Sequence, residues 1–344
     1  MKSKILIAIG SAFLVATLAA CSPAASTQSR PTETAAEEQN TEEQQVPWDG
    51  NTVQLTSQQL ADGVYAYYPE DSAQLEQEGF PVATSGGFII GTDGVLLIET
   101  MLNERLYNQV EALIAEATDL PITYAVNTSA HGDHSYGNMY LPNETLIIQH
   151  EKASEYISNN IDADKEFMIQ NFGAGRGIEE VTATPADQLV STGETYSLDL
   201  GGKTVEIIDF GFAQTGGDLF IWEPESQIMW TGNPITSVEP ALPWLLDGNL
   251  VGALDTLKKV QEFLPAGARV IPGHGSPTST EVLQWPISYM EETKNQVQEA
   301  IDAGLSLEET VEKVALPNFR GYALFDWVHP QLSVPAAYAD LSAH

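Results

Sequence analysis

Asn127-Thr128-Ser129-Ala130-His131-Gly132-Asp133-His134 follows a β-like run at residues 123–126 and breaks into Ser135-Tyr136-Gly137-Asn138. Two imidazoles and a carboxylate fall within four residues. Metal ions of borderline softness favour neutral imidazole nitrogen and carboxylate oxygen, and a loop leaving a strand end can aim several such groups at one point. The stretch therefore reads as a candidate metal site, the alternative being a polar surface loop whose histidines have no chemical task.

Outward from this loop the chain alternates strand and helix signals. Residues 64–68, 87–91 and 95–100 read as strands, with Thr92-Asp93-Gly94 a tight hairpin turn between the last two. Leu102, Leu106, Val110, Leu113 and Ile114 recur at helical spacing, and Pro121 marks the break before the strand that delivers the loop. Beyond it come a strand at 145–149 ending in His150, a helix over 151–159, and a mixed stretch over 161–193 read as a connecting insertion. Strand character resumes at 194–200, 204–210, 218–222 and 227–230. A helix over 251–263 then precedes a strand at 268–271, which ends in Pro272-Gly273-His274-Gly275. Helical patterning covers 281–303 and 307–314. Two such halves imply two sheets face to face with helices outside, which gathers the polar loops along one edge.

The N-terminus carries a different signal. Met1-Lys2-Ser3-Lys4 precedes an apolar run from 5 to 18 and Leu18-Ala19-Ala20-Cys21, which reads as a signal peptide over 1–20. Cys21, the only cysteine, sits in a pattern resembling the bacterial lipoprotein box, so its thiol is expected to be acylated and the protein to contain no disulfide. Residues 22–47 hold no aromatic side chain and are rich in Ser, Thr, Ala, Glu and Gln, too little apolar surface to offset ordering the backbone. Residues 21–47 are thus expected to be a lipidated, disordered acidic linker. It would tether a body at 48–284, with a helical extension at 285–344 packed on it, to a bacterial membrane from the periplasm or extracellular space. The composition, 48 acidic against 14 basic residues and a net charge of −34, excludes nucleic acid as a partner.

The order and spacing of the loops resemble the metallo-β-lactamase superfamily, an αββα sandwich of hydrolases built from two mixed sheets flanked by helices. The likeness spans about residues 54–284. It rests on the hairpin ending Val95-Leu96-Leu97-Ile98-Glu99-Thr100, the His131 loop, Ala213-Gln214-Thr215-Gly216-Gly217-Asp218, Thr231-Gly232-Asn233 and Pro272-Gly273-His274-Gly275. Asp247-Gly248-Asn249 and Gly304-Leu305-Ser306-Leu307-Glu308-Glu309 are similar to one branch, the quinoprotein relay system zinc metallohydrolases. The resemblance implies a first metal held by three histidines, whose positions are Ser129, His131 and Gln214 here. It implies a second metal held by Asp133, His134, His274 and a bridging acid, whose position is Asn233. Ser129, Gln214 and Asn233 depart from the pattern, so the first site is expected to be empty. The second is expected to hold one ion through Asp133, His134 and His274, with Asn233 a weak ligand. His131 is left between metal ligand and hydrogen-bonding partner of the catalytic water, and Asp133 and His131 are the candidate catalytic residues. Glu99 stands where the family usually has a supporting aspartate, and His150 is either a support behind the site or a structural histidine.

Two functions follow from this altered pattern. One is a hydrolase of a small ester, thioester, amide or lactam through one zinc ion and its activated water, with iron or manganese as substitutes. The other is a non-catalytic lipoprotein of the same fold that binds a small molecule, with metal weak or absent and Ser129, Gln214 and Asn233 forming an uncharged hydrogen-bonding floor. Ser129 as a nucleophile activated by His131 rests on proximity in sequence alone. Trp244, Trp285, Tyr136 and Phe212 are candidates for the pocket mouth or for ordinary core packing, and His329 and His344 find no partner in the sequence. The oligomeric state leaves no trace in the pattern.

Overall fold

Seven strands lie side by side in sequence order in the first sheet: β1 (Leu55–Ala61), β2 (Val64–Pro69), β3 (Gly86–Gly91), β4 (Gly94–Ile98), β5 (Ile122–Val126), β6 (Leu146–His150) and β7 (Gln188–Val190). Pairing is antiparallel from β1 to β4 and parallel from β4 to β7. The second sheet contains β8 (Thr195–Asp199), β9 (Thr204–Ile208), β10 (Phe220–Glu223), β11 (Ile228–Gly232), β12 (Arg269–Pro272) and β13 (Thr278–Ser279), in the order β13-β12-β11-β10-β9-β8. Only its β11–β12 pair is parallel. The helices are α1 (Ser72–Glu78), α2 (Glu104–Ala117), α3 (Gly132–Ser135), α4 (Glu151–Phe172), α5 (Leu250–Phe263), α6 (Gln284–Asp302), α7 (Leu307–Lys313), α8 (Phe325–Val328) and α9 (Val334–Ser342). This computed structural model describes residues 48–78, 82–319 and 325–343. The lipoprotein signal, Cys21, the linker at 21–47 and His344 lie outside the described residues. Among the described residues no helix is long and apolar enough to cross a membrane.

The side-chain period of two sorts each strand between two cores. On β4, Leu96 and Ile98 face the other sheet while Val95 and Leu97 face the helices. On β10 and β11 the same alternation puts Ile221, Ile228 and Trp230 between the sheets and Phe220, Trp222 and Met229 on the outer side. The inter-sheet core is closed by helices on either side: α2 and α4 cover the first sheet, α5, α6 and α9 the second. The result is the expected αββα sandwich. Trp230 fixes the sheet separation, its indole donating to the Gly86 carbonyl at 3.0 Å. Burying an indole stabilises by about 4–6 kcal/mol from area alone. Gly87 makes that approach feasible, since a Cβ there would lie 2.5 Å from both Trp230 Nε1 and the Tyr65 carbonyl oxygen.

Three local expectations are corrected. The helix read over 151–159 continues to Phe172, so the first part of the supposed insertion, 161–172, is helix and its last part supplies β7. Its buried stripe of Ile157, Met168 and Phe172 is interrupted by the carboxylate Asp164, which hides the period. That carboxylate accepts hydrogen bonds from two phenols, Tyr136 at 2.6 Å and Tyr156 at 3.1 Å. β1 went unread because it is an edge strand of sequence LTSQQLA in which only Leu55 and Leu60 are buried. The short α1 was also unread, and it bears on the site described next. In the C-terminal region α6 and α9 share one apolar core with α5.

Candidate metal centre

The parallel strands β4, β5, β11 and β12 end along one edge, and each hands the chain to a polar loop there. After β5 the backbone turns into α3, a single helical turn that begins after His131 and carries Asp133 and His134. A buried amide network holds this turn. Asn127 Nδ2 donates to the His134 carbonyl at 2.9 Å, and Asn138 and Gln149 donate to Asn127 Oδ1 at 2.7 and 2.8 Å. Thr100 N also donates to the His134 carbonyl, at 2.9 Å. Glu99, the residue after β4, sits at φ 68, a left-handed conformation that costs a non-glycine residue energy and often marks a functional site. Its carboxylate accepts from the Thr128 hydroxyl and lies 3.1 Å from His134 Nδ1.

Asp133, His134 and His274 converge. Asp133 Oδ2 lies 3.5 Å from His134 Nε2 and 3.4 Å from His274 Nε2, and one ligand atom from each residue falls within 4.8 Å of the others. Two ligands bonded to a tetrahedral zinc at its usual bond lengths are about 3.4 Å apart, so these separations match the edges of such a site. The outer nitrogens are already committed, His134 Nδ1 toward Glu99 and His274 Nδ1 donating to the Val82 carbonyl at 2.9 Å. That commitment leaves both Nε2 atoms for an ion. The donor set fits a divalent metal, and Glu99 lies behind it, beside His134 Nδ1.

The charges balance within the buried cluster. Burial works against the charged form of His134, but Asp133 and then Glu99 outweigh it and raise its pKa to about 9. Burial pushes His274 down to about 4 against the pull of Asp133, so this imidazole is neutral at neutral pH. Burial also opposes the charge on Asp133. His134, His274 and His131 overcome it, helped by the Thr84 hydroxyl, and hold the carboxyl below its usual range.

The other half of the centre is built differently. Asn233 spans the gap between the two loop histidines, its Oδ1 3.0 Å from His134 Nε2 and its Nδ2 3.1 Å from His131 Nδ1. Ser129 is fully buried and its hydroxyl oxygen accepts the backbone N–H of His131 at 3.3 Å. That contact is to the His131 backbone, and the ring nitrogen Nδ1 is engaged by Asn233. Gln214 is 3% exposed, and its Oε1 has no hydrogen-bond partner among the described residues. It lines a small cleft with Asn233, Trp244, Leu257 and Met290. Among the described residues, His131 does not join Asp133, His134 and His274 in the cluster of converging ligand atoms.

The remaining candidates have structural tasks. His150 Nδ1 accepts the Lys152 N–H at the start of α4, and its Nε2 lies 3.7 Å from Asp209. Its contacts are thus with the helix cap and Asp209, away from the cluster. His329 is buried between Tyr289 Oη at 2.8 Å and the Val314 carbonyl at 2.7 Å. Tyr136, Phe212 and Trp285 pack in the cores, and Trp244 alone of the four aromatic candidates lines the pocket. Residues that sequence reasoning missed are Val82 and Thr84, which touch His274 and Asp133 directly. No motif marks them, because each acts through a contact with a residue far along the chain.

No protein-family model matches the chain. The metallo-β-lactamase type 2 of Bacteroides fragilis is 25% identical over 232 residues, 66% of this chain and 81% of that protein. Among solved structures, a metallo-β-lactamase from Pontibacter korlensis aligns with a TM-score of 0.51 at 17% identity, over 69% of this chain and 99% of that one. The stereoselective inverting sec-alkylsulfatase Pisa1 from Pseudomonas sp. aligns with a TM-score of 0.61 at 16% identity, over 85% of this chain and 50% of that one. The two-sheet sandwich, the histidine and aspartate side chains gathered at its edge and these similarities agree, and the chain has the metallo-β-lactamase fold.

Proposed function

We propose that the protein is a hydrolase of small ester, thioester, amide or lactam substrates that uses one metal ion, zinc by preference, at Asp133, His134 and His274. The observation that carries this is the convergence of the two Nε2 atoms on Asp133 Oδ2 at 3.4 and 3.5 Å. A lactam is the first substrate class to try, because the relative from B. fragilis is named a metallo-β-lactamase. When bound, the metal supplies Lewis acidity and lowers the pKa of a water toward neutrality.

The chain's own residues do the rest. Ligation requires neutral imidazole, so His134 gives up its Nε2 proton and its contact with Asn233 Oδ1 when the site loads. Asn233 Nδ2 donates to His131 Nδ1, so neutral His131 carries its proton on Nε2, from which it can donate a hydrogen bond to the attacking water or a leaving group. Asn233, which engages His131, also lines a small cleft with the apolar side chains of Trp244 and Leu257. With Cys21 acylated, the domain would work in the cell envelope at the end of a flexible tether.

The binding-module alternative draws on the Asn233 amide, which links His131 and His134 through uncharged hydrogen bonds. Metal analysis of protein purified from metal-replete medium separates the two. We expect about one equivalent of zinc per chain, the count for a single three-ligand site. Less than about 0.2 equivalents, with no gain on reconstitution with zinc, iron or manganese, would sink the hydrolase proposal.

A further inference from the structure

The chain between β2 and β3 touches both arms of the metal centre. Thr84, fully buried, donates from Oγ1 to Asp133 Oδ2 at 2.7 Å, the oxygen that faces both Nε2 atoms. Two residues earlier, the Val82 carbonyl accepts from His274 Nδ1. Next to it, Ser85 N donates to the Gly273 carbonyl at 2.8 Å, and its hydroxyl exchanges two hydrogen bonds of 2.7 Å with the backbone of Gly275. From α1, Glu76 accepts the backbone N–H and the hydroxyl of Ser276, both at 2.8 Å. Asp133 belongs to a loop of the first sheet and His274 to a loop of the second. This one stretch is bonded to both.

We infer that Thr84 is a positioning residue for the metal centre: its hydroxyl locks the Asp133 carboxylate in the orientation that meets His134 and His274, while Val82 and Ser85 lock the His274 loop to the same segment. This inference rests on the metal-dependent function proposed above. The terminal torsion of an aspartate is broad, so a carboxylate without an outer partner swings away from any one ligand direction. Thr84 removes that freedom. Its own branched side chain is stiff, and the hydrogen bonds of Ser85 fix the backbone that carries it. Removing the hydroxyl leaves a buried carboxylate oxygen short of a donor and free to turn.

The test is zinc affinity of the full chain, measured by competition with a chromophoric chelator, together with the visible spectrum of the cobalt-substituted protein. Thr84→Val keeps the shape of the side chain and deletes the donor, and Thr84→Ala deletes the donor without adding a methyl group. Circular dichroism identifies whichever variant keeps the fold, and that variant is read. We expect zinc affinity to fall about 10- to 100-fold, the usual cost of removing an outer partner of a ligand. The cobalt bands should shift, and Thr84→Ser should restore both readouts. Affinity within about threefold of wild type, with an unchanged cobalt spectrum, overturns the role of Thr84 and leaves the metal site standing. A wild-type protein that binds no zinc overturns both.

Discussion

In the half of the centre formed by Asp133, His134 and His274, every ligand is held from behind: by Thr84, by Glu99 and by the Val82 carbonyl. In the half formed by Ser129, His131 and Gln214, the hydroxyl is used as a backbone acceptor and the amide oxygen of Gln214 has no partner among the described residues. The two halves meet in the loop from Ser129 to His134 and both contain buried residues, so burial does not distinguish them. The difference is in donor chemistry and in outer partners, which an ion needs together. Asn233 stands between the halves and joins His131 to His134. On the function proposed above, this pattern is that of a two-metal centre in which one half is equipped for an ion and the other holds neutral hydrogen bonds.

The comparison breaks most easily at its two histidines. His134→Ala should lower zinc affinity by more than about a hundredfold, beyond the cost of losing an outer partner, whereas His131→Ala should lower it by less than about tenfold. Chelator competition on the two variants measures this, and equal losses would erase the asymmetry. Rebuilding the weak half gives the next largest effect. Ser129→His combined with Gln214→His should raise zinc bound per chain above one equivalent, read by native mass spectrometry, because imidazole returns where hydroxyl and amide stand. Ser129 is fully buried, so the larger side chain should also cost about 1–3 kcal/mol of stability, visible in a denaturant titration.

The smallest expected effect keeps loss of metal apart from loss of fold at low pH. Burial holds His329 below the ordinary histidine range, opposed by the Val314 carbonyl. Its neutral form belongs to the folded state. The stability this supplies is complete above the ordinary value of about 6.5 and declines as pH falls below it. Urea unfolding at neutral pH and about two units lower should show that decline with or without zinc, and His329→Gln should flatten it. A decline that disappears on zinc loading would assign it to the centre.

Much of the fold was legible because strands such as β4 and β10 are short apolar runs bounded by turns. The amphipathic period failed where a charge sat on the buried face. Asp164 on α4 is the clear case: its carboxylate is satisfied by Tyr136, 28 positions earlier, and nothing local announces that pairing. At the centre, His131, Asp133, His134 and His274 could be named from their residue types and their places at strand ends. Thr84 and Glu76 could not, since their partners lie 49 and 200 positions away.

The sequence by itself determined which donor atoms this protein owns, the strand ends that carry them, and the presence of Ser129, Gln214 and Asn233 where the resemblance implies metal ligands. Only the tertiary structure decided which donors meet, that Asn233 ties His131 to His134, and that one stretch between β2 and β3 braces ligands from both sheets. The physical reason is one of range. Spacing along the chain governs which residues share a face or a turn, while a ligand's orientation depends on hydrogen bonds that exist only after distant segments have packed together.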